Sequence, residues 1–531
     1  MSKNIFNSVQ YPKIGSNTFD LSHDVKMSFK MGRLYPSFVM DVIPGDRVRL
    51  SSETLLRFAP LISPVMHRVN VTTHYFFVPN RLIWPNWEKW ITGDLEAEPP
   101  YMVVSNPFPF EPDVDSYPEG SVADYLGIPT DNPNMANVKV NAMPLAAYRL
   151  IFHEYYRDQN LWPGEYLALV NGENRTYAMM ACLEPLQRSW MHDYFTAALP
   201  FAQKGDAVQL PLGDFSDVNV IMDPNNSDSP IIRHGAPGPT FPPVSGRNTL
   251  GADDFGNGDG EFGAGSSLPE MAPAKIDPNG TLLARTSELE AQVADINTLR
   301  RAFKLQEWLE RNARGGTRYI ENILAHFGVR SSDARLNRPE YLGGSFQKMV
   351  ISEVLSTAET ELPVGQMAGH GISLGAGKEF TYRAEEHGWI IGLINVQPVT
   401  AYQQGIPRMY LREDRLDYYW PSFAHIGEQV VYNKEVYVDE TGQDETFGYV
   451  PRYAEYRYIN SRVAGEMRTS LAHWHLGRIF ENAPSLNTDF ILANPSDRIF
   501  AVQDGSDHIY GHIFNNVKAL RKIPKFGTPR F

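Results

Sequence analysis

Val69-Asn70-Val71-Thr72-Thr73-His74-Tyr75-Phe76-Phe77-Val78, closed by Pro79-Asn80, is the clearest strand in the chain. Val69, Val71, Thr73, Tyr75 and Phe77 fall on one face of an extended chain, and Asn70, Thr72, His74 and Phe76 on the other. β-Branched and aromatic side chains at period two, ended by a proline, spell a strand. Upstream, Ile43-Pro44-Gly45-Asp46 is a turn between the apolar Phe38-Val39-Met40 run and Val48-Arg49-Leu50. Further strands are expected at Met349 to Val354, His387 to Val399, Gln429 to Val438 and Asp497 to Val502. From Asp94 to Pro133 prolines recur too often for a long helix or a central strand, so loops are expected there.

Composition points the same way. The 531 residues include 28 Phe, 26 Tyr and 9 Trp, with 41 Gly and 39 Pro as turn formers. Many aromatics and many turns suit short strands joined by loops better than a helical bundle. Charged residues at 21% and hydrophobic ones at 42% exclude a disordered chain. Cys182 is the single cysteine, which excludes an internal disulfide framework and suits a reducing compartment. The longest apolar stretch, Trp389 to Val396, falls far below the 18 or so residues of a spanning helix, so no membrane insertion is expected. Met1 to Phe6 has neither the apolar run nor the cleavage site of a signal peptide, and a cytoplasmic origin is expected.

Helices are few. Pro144 to Gln159 carries Leu145, Tyr148, Phe152, Tyr155 and Tyr156 at helical spacing, with Pro144 suited to a first turn. A short helix is expected near Trp190 to Phe195. Ser287 and Glu290 form a capping box, followed by Leu289, Val293, Ile296 and Phe303 at helical steps to about Arg311, before Gly315-Gly316. Thr317 caps a second helix with Ile320, Ile323, Leu324 and Phe327 on one face and Gly328 at its end.

Charge is unevenly spread. With 62 acidic and 48 basic residues the formal charge is −14. Residues 205–280 hold 12 Gly, 10 Pro and 11 acidic against 3 basic side chains, and so 8 of those 14 net negative charges. Such a stretch buries little apolar surface of its own; it is a surface insertion, or is ordered only by a partner. At the other extreme, Lys518, Arg521, Lys522, Lys525 and Arg530 crowd the last fourteen residues without an acidic neighbour, interleaved with Phe526 and Phe531. Cations attract phosphates through counterion release and rings stack on unpaired bases. A solvated tail docked on an acidic neighbour reads equally well.

No catalytic, cofactor or metal site emerges. Gly371-Ile372-Ser373-Leu374-Gly375 matches the nucleophile-elbow pattern, but Gly365 to Gly371 before it reads as a loop and Gly375-Ala376-Gly377-Lys378 is a poor helix start. Gly377-Lys378 lacks the Ser/Thr of a phosphate loop. His473 with His475, and His508 with His512, lack the supporting ligands zinc needs. Asp253, Asp254, Asn257, Asp259 and Glu261 depart from the calcium-loop pattern. Arg408 to Trp420, rich in arginine and aromatics, suits an interface core or an ordinary aromatic core.

Several blocks together resemble the major capsid protein of the gokushovirus branch of the Microviridae, small icosahedral phages with circular single-stranded DNA. They are Phe19 to Phe29, Ala59 to Val69 with His74 to Arg81, His192 to Thr196, Ala313 to Tyr319 with His326 to Val329, and Arg338 to Gly344. Asp417 to Pro421 and Ala454 to Tyr458 continue them. The resemblance implies a mainly β fold, an eight-stranded antiparallel jelly roll with long loop insertions and a few helices. It implies one domain over 1–531, with 205–285 as a surface insertion building a threefold protrusion and 286–328 as a helix pair. It further implies no enzyme activity, but self-assembly into a T=1 icosahedral shell around single-stranded DNA, formed in the host bacterial cytoplasm and ending in the virion. The implied partners are the chain itself, an internal scaffolding protein, a DNA pilot protein and a host surface receptor. Residues 205–280 and the C-terminal end depart from the family pattern, which leaves the receptor open. A jelly-roll carbohydrate-binding protein or adhesin is the alternative, and a hydrolase using Ser373 a third.

Overall fold

The computed structural model describes residues 15–93, 96–104, 116–206, 208, 220–222, 232–234, 274–276, 282–284, 296–355 and 367–526. Two compact units divide the chain: Met1–Asp206 with Glu307–Phe531, and Ala207–Gln306.

Eight strands organise the larger unit: β1 (His23–Phe29), β2 (Tyr35–Val42), β3 (Arg47–Phe58), β4 (Val69–Pro79), β5 (Glu340–Lys348), β6 (Met367–Ala376), β7 (Gly388–Pro398) and β8 (Ile509–Arg521). One sheet runs β1-β8-β3-β6 and the other β2-β7-β4-β5, antiparallel at every pairing. Successive strands alternate between the sheets except β4 and β5, which pair side by side. This is the eight-stranded jelly roll. Asn17–Asp20, Val350–Leu355 and Phe380–Arg383 extend the first sheet along β8, β6 and β3 respectively. Long connections leave the roll at two places, residues 80–339 after β4 and 399–508 after β7.

The two sheets meet different surroundings. β3 alternates strictly: Val48, Leu50, Leu56 and Phe58 are buried, while Arg47, Arg49, Glu53 and Arg57 are exposed. β4 and β7 have almost no exposed residue, because both faces of their sheet are covered. Toward the other sheet, Tyr75 and Phe77 pack with Phe38, Leu50, Ile390 and Val517, and farther along Val71 packs with Phe58, Ile394 and Ile513. On the far face, Phe76, Val78, Ile391 and Leu393 pack under Ile83, Trp84, Met102, Tyr117 and the helix α1 (Met143–Ile151). That helix ends earlier than its periodicity predicts and widens into a π turn at Phe152–Tyr156. Tyr156 stacks on His74 and meets its Nδ1 at 2.7 Å, and Tyr155 lies 4.7 Å from Phe76, so adjacent tyrosines both reach the sheet. Burial holds the His74 imidazole down at about 4, neutral at pH 7.

A polar knot interrupts the inter-sheet core. The wholly buried Asn515 accepts from Ser52 Oγ at 2.7 Å and donates to the Ser37 carbonyl at 3.2 Å, and the Tyr75 hydroxyl donates to Ser52. Ser37 is the residue skipped in the β2–β7 register, where Phe38 faces Gly392 and Pro36 faces Leu393; the bulge frees its carbonyl for Asn515.

The 399–508 connection builds its own cluster, where Tyr402, Val431, Val436, Phe447 and Phe490 enclose Tyr194 and Phe195. Glu435 is buried beneath it, meeting Arg408 Nη1 at 2.8 Å and accepting from Tyr194 Oη at 3.1 Å. In the smaller unit, Val220–Met222 pairs with Leu282–Ala284 and Ile232–His234 with Ala274–Ile276, two nested antiparallel ladders.

Several local expectations change. Asp497 to Val502 is not a strand; the last strand lies downstream at β8, and Phe500 makes only an isolated bridge to Leu61. The strand expected over Gln429 to Val438 stops at Tyr432, where the Tyr432 amide donates to Glu435 and the chain turns into the short helix Asn433–Val436. Trp190 to Phe195 is a turn, not a helix, organised by Asp193 accepting from the Phe195 and Thr196 amides. The helix α2 (Ile296–Gly315) is described from Ile296; the Ser287–Glu290 capping box lies outside the described residues. The helix α3 (Tyr319–Phe327) begins after Arg318, not Thr317: the Arg318 amide donates to Glu321, and Thr317 turns to Asn160. Gly328 ends it at φ +68°, as its sequence predicts.

Asn515→Ala should destabilise the subunit by about 1–3 kcal/mol, because the Ser52 hydroxyl and Ser37 carbonyl lose a buried partner. The neighbouring, outward-facing Asn516→Ala should change it by less than about 0.5 kcal/mol. Urea unfolding of both variants measures the contrast, and equal losses would contradict the knot.

Candidate nucleic-acid interface

Strand alternation decides which of the C-terminal cations can meet a ligand. Along β8 the even-numbered residues Tyr510, His512, Phe514, Asn516 and Lys518 point away from the core, and the odd-numbered ones inward. Lys518 is therefore exposed. Arg521, three residues on, turns in: its Nε lies 3.0 Å from the wholly buried Asp46, and its Nη2 donates to the Asp41 carbonyl at 2.8 Å. Asp46 in turn accepts the Ile43 amide in the turn where Gly45 takes φ +92°. Arg521 thus closes the β2–β3 turn onto β8. Lys522 lies beside that turn, its Cε 3.5 Å from where a Cβ on Gly45 would sit. Lys525 holds its amine 5.9 Å from the Phe526 ring. Arg530 lies outside the described residues.

The structure adds cations that the C-terminal cluster did not include. On the exposed face of the β1-β8-β3-β6 sheet, Arg49 stands directly opposite Lys518, and Arg47 directly opposite Arg383. Arg57 stands opposite the half-exposed Tyr510. Like charges facing each other across a ladder are unfavourable by some tenths of a kcal/mol unless something neutralises them. Arg49 has Glu379 at 2.6 Å, whose hydrogen bond holds the guanidinium more firmly protonated. Lys518 faces Asp20, whose carboxyl is kept below the usual carboxylate range chiefly by hydrogen bonds from Ser22, with the Lys518 charge adding to them. Arg47 and Arg383 have no ion pair among the described residues. Asp24, paired with His512, and Glu53 are the further carboxylates on this face, while Lys26 and Arg57 add to its cations, so cations prevail there. The signal was present in Arg47-Val48-Arg49 and Glu53 to Arg57, where every second residue of one strand except Leu55 is polar.

The other motifs are accounted for by packing. Gly371 to Gly375 lies inside β6, where a loop was expected, and Ser373 is buried, its hydroxyl donating to the Lys348 carbonyl at 3.1 Å. A Cβ on Gly371 would meet the Phe58 ring at 2.6 Å, so this glycine serves strand packing. His475 Nε2 lies 2.7 Å from the Met467 carbonyl, and its Nδ1 accepts the Gly477 amide. His508 stacks on Phe500 with centroids 4.2 Å apart, and His512 pairs with Asp24 at 2.9 Å. The acidic residues from Asp253 to Glu261 lie outside the described residues. Burial pushes the Cys182 thiol up to about 11, away from nucleophilic character. Among the described residues no group of three or more metal-ligating side chains converges, and no helix is long and apolar enough to cross a membrane.

A jelly roll with one sheet wrapped by insertions and the other, among the described residues, open and charged is an architecture that viral coat proteins use. The family model described as "Capsid protein (F protein)" matches residues 7–531. The chain is 37% identical to capsid protein VP1 of Chlamydia phage 1, over 99% of this chain and 97% of that protein. It is 34% identical to VP1 of Bdellovibrio phage phiMH2K and 31% identical to VP1 of Spiroplasma virus 4, each over 96% of this chain and 94% of the relative. The chain belongs to this phage capsid protein family. It is a major capsid protein of the Microviridae type and a component of the virion, as its resemblance to the gokushovirus proteins implied. The family is structural rather than enzymatic, and it displaces the carbohydrate-binding or adhesin alternative.

Arg521→Ala would leave Asp46 buried without its cation and should cost roughly 3 kcal/mol of subunit stability. Lys518→Ala, on the open face, should change stability by less than about 0.5 kcal/mol. Chemical denaturation of the two variants separates the roles; a small effect at Arg521 would return it to the ligand-facing set.

Proposed function

We propose that this chain assembles into a T=1 icosahedral shell around a circular single-stranded DNA genome, with the open face of the β1-β8-β3-β6 sheet turned toward the DNA. The directly opposed pair Arg47/Arg383, which has no ion pair among the described residues, carries this reading, with Arg49 and Lys518 opposite each other on the same face. A like-charged cross-strand pair makes sense where a polyanion spends part of its time beside it, since a phosphate relieves the repulsion and releases counterions. Tyr510 beside Arg57 supplies a ring on which an unpaired base can stack. Lys518, Lys522 and Lys525, with Arg530, remain DNA contacts in this proposal; Arg521 is a positioning residue for the strand that carries them. The role is structural, and the buried, strand-held Ser373 argues against a hydrolase.

Residues 205–285 form the outward insertion in this account and contribute to host attachment through a surface receptor. Their acidity keeps them off the genome and suits the outside of the particle. An internal scaffolding protein and a DNA pilot protein are the expected assembly partners.

Arg47→Gln/Arg383→Gln subunits should bind single-stranded DNA more weakly, with the slope of log affinity against log salt reduced by about 0.7 per lost phosphate contact. The same double variant should be at least as stable as the parent, because a repulsive pair has gone. An unchanged salt slope would take the DNA off this face. Limited proteolysis of intact particles should make its first cuts within 205–285; complete protection there would count against the outward insertion.

A further inference from the structure

The segment that the sequence left between an interface core and an ordinary aromatic core is exposed. Tyr418, Tyr419, Trp420 and Tyr456 are each about half exposed, at 53%, 49%, 50% and 49%, with Leu416 and Ile426 beside them. They form one patch: the Tyr419 amide donates to the Tyr456 hydroxyl, Arg412 lies 5.1 Å from the Tyr418 ring and 4.5 Å from that of Tyr456, and Arg452 donates to the Leu416 carbonyl. At ~100 Å² for each half-exposed ring, the four rings alone present ~400 Å². That is the size of the largest apolar patch on an ordinary monomer, and half of the ~800 Å² a partner contributes to a stable interface.

Two chemistries could cover rings and arginines, and the patch distinguishes them. A nucleic acid needs free ring faces and free cations. Here Arg412 already covers Tyr418 and Tyr456, and Tyr419 packs edge-on against Tyr453 with centroids 5.1 Å apart. The exposed carboxylates Glu413 and Asp414 flank the patch, and the amides of Asp414 and Glu413 hold Asp417 below the usual carboxylate range. These three carboxylates balance Arg412, Arg415 and Arg452, so no cationic excess draws phosphates there. Aromatic and arginine anchors with an aliphatic margin and charges of both signs at the rim are the composition of a protein contact. The patch is also firmly mounted, since the 3₁₀ turn Arg408–Tyr410 is tied through Arg408 to the buried Glu435.

We propose that the patch around Tyr418, Trp420 and Tyr456 is a subunit contact, covered in the shell by a second copy of this chain. The inference rests on the shell reading above and assigns the surface by which copies meet.

The test compares wild type, Trp420→Ala/Tyr456→Ala and the off-patch Val502→Ala, each expressed with its neighbouring phage genes, by sedimentation and by tyrosine-directed labelling read by mass spectrometry. The double variant should fold, as the unchanged circular dichroism of its subunit would show, yet need at least tenfold more protein to form shells, while Val502→Ala assembles as wild type does. Tyr418 and Tyr456 should be labelled in wild-type subunits and protected in shells, empty or filled. Shells in which both tyrosines stay labelled would overturn the contact alone, and so would protection confined to DNA-filled shells, which would make DNA the cover. Wild-type chains that form no shells would defeat the shell reading and the contact with it.

Discussion

Neither face of β4 is left to solvent, and the rest of the structure is arranged around that. Val69 to Val78 is buried toward the opposing sheet through Val71, Tyr75 and Phe77 and toward the outside through Phe76 and Val78. A strand of that kind is stable only if both sides are covered, and burying one large side chain is worth about 1.5–3 kcal/mol. The opposing sheet covers one side. The other needs material from elsewhere, and the connection after β4 supplies it: Ile83, Trp84, Tyr117 and α1 lie against Phe76 and Val78. A long insertion at this point is therefore part of the core.

The second sheet follows from the first by contrast. Nothing among the described residues wraps its outer face, so its strands must alternate, and β3 does so without exception from Val48 to Phe58. Alternation converts a charge cluster in sequence into a division of labour in space. Lys518 and Arg521 are three residues apart and face opposite ways, one toward whatever the face meets and the other onto Asp46 in the core. Arg47, Arg49 and Arg383, distant from the C-terminus in sequence, join Lys518 across the ladder.

Much of the architecture was legible beforehand because it is written at period two or in a proline-glycine rhythm: β4, β7, the turn at Gly45, and the capped end of α3 at Gly328. What was missed has physical reasons. β8 carries asparagines and glycine among its apolar residues, since Asn515 belongs to a buried polar knot, and that hides a strand from a hydrophobicity pattern. β6 reads as a glycine loop because Gly371 is needed where the Phe58 ring approaches. The helix at Met143 reads too long because aromatic spacing persists through a π turn. The family was visible in blocks such as Phe19 to Phe29, whereas the facing of each cation needed the register.

The central claim is that the alternating sheet looks at the genome while the doubly covered sheet and its insertions make the wall. Ultraviolet cross-linking of DNA inside intact particles, followed by mass spectrometry of the attached peptides, tests it most directly. Adducts are expected on peptides containing Arg47 to Arg57 and Tyr510 to Lys518. Adducts confined to the insertions after β4 and β7, with none on this sheet, would contradict it.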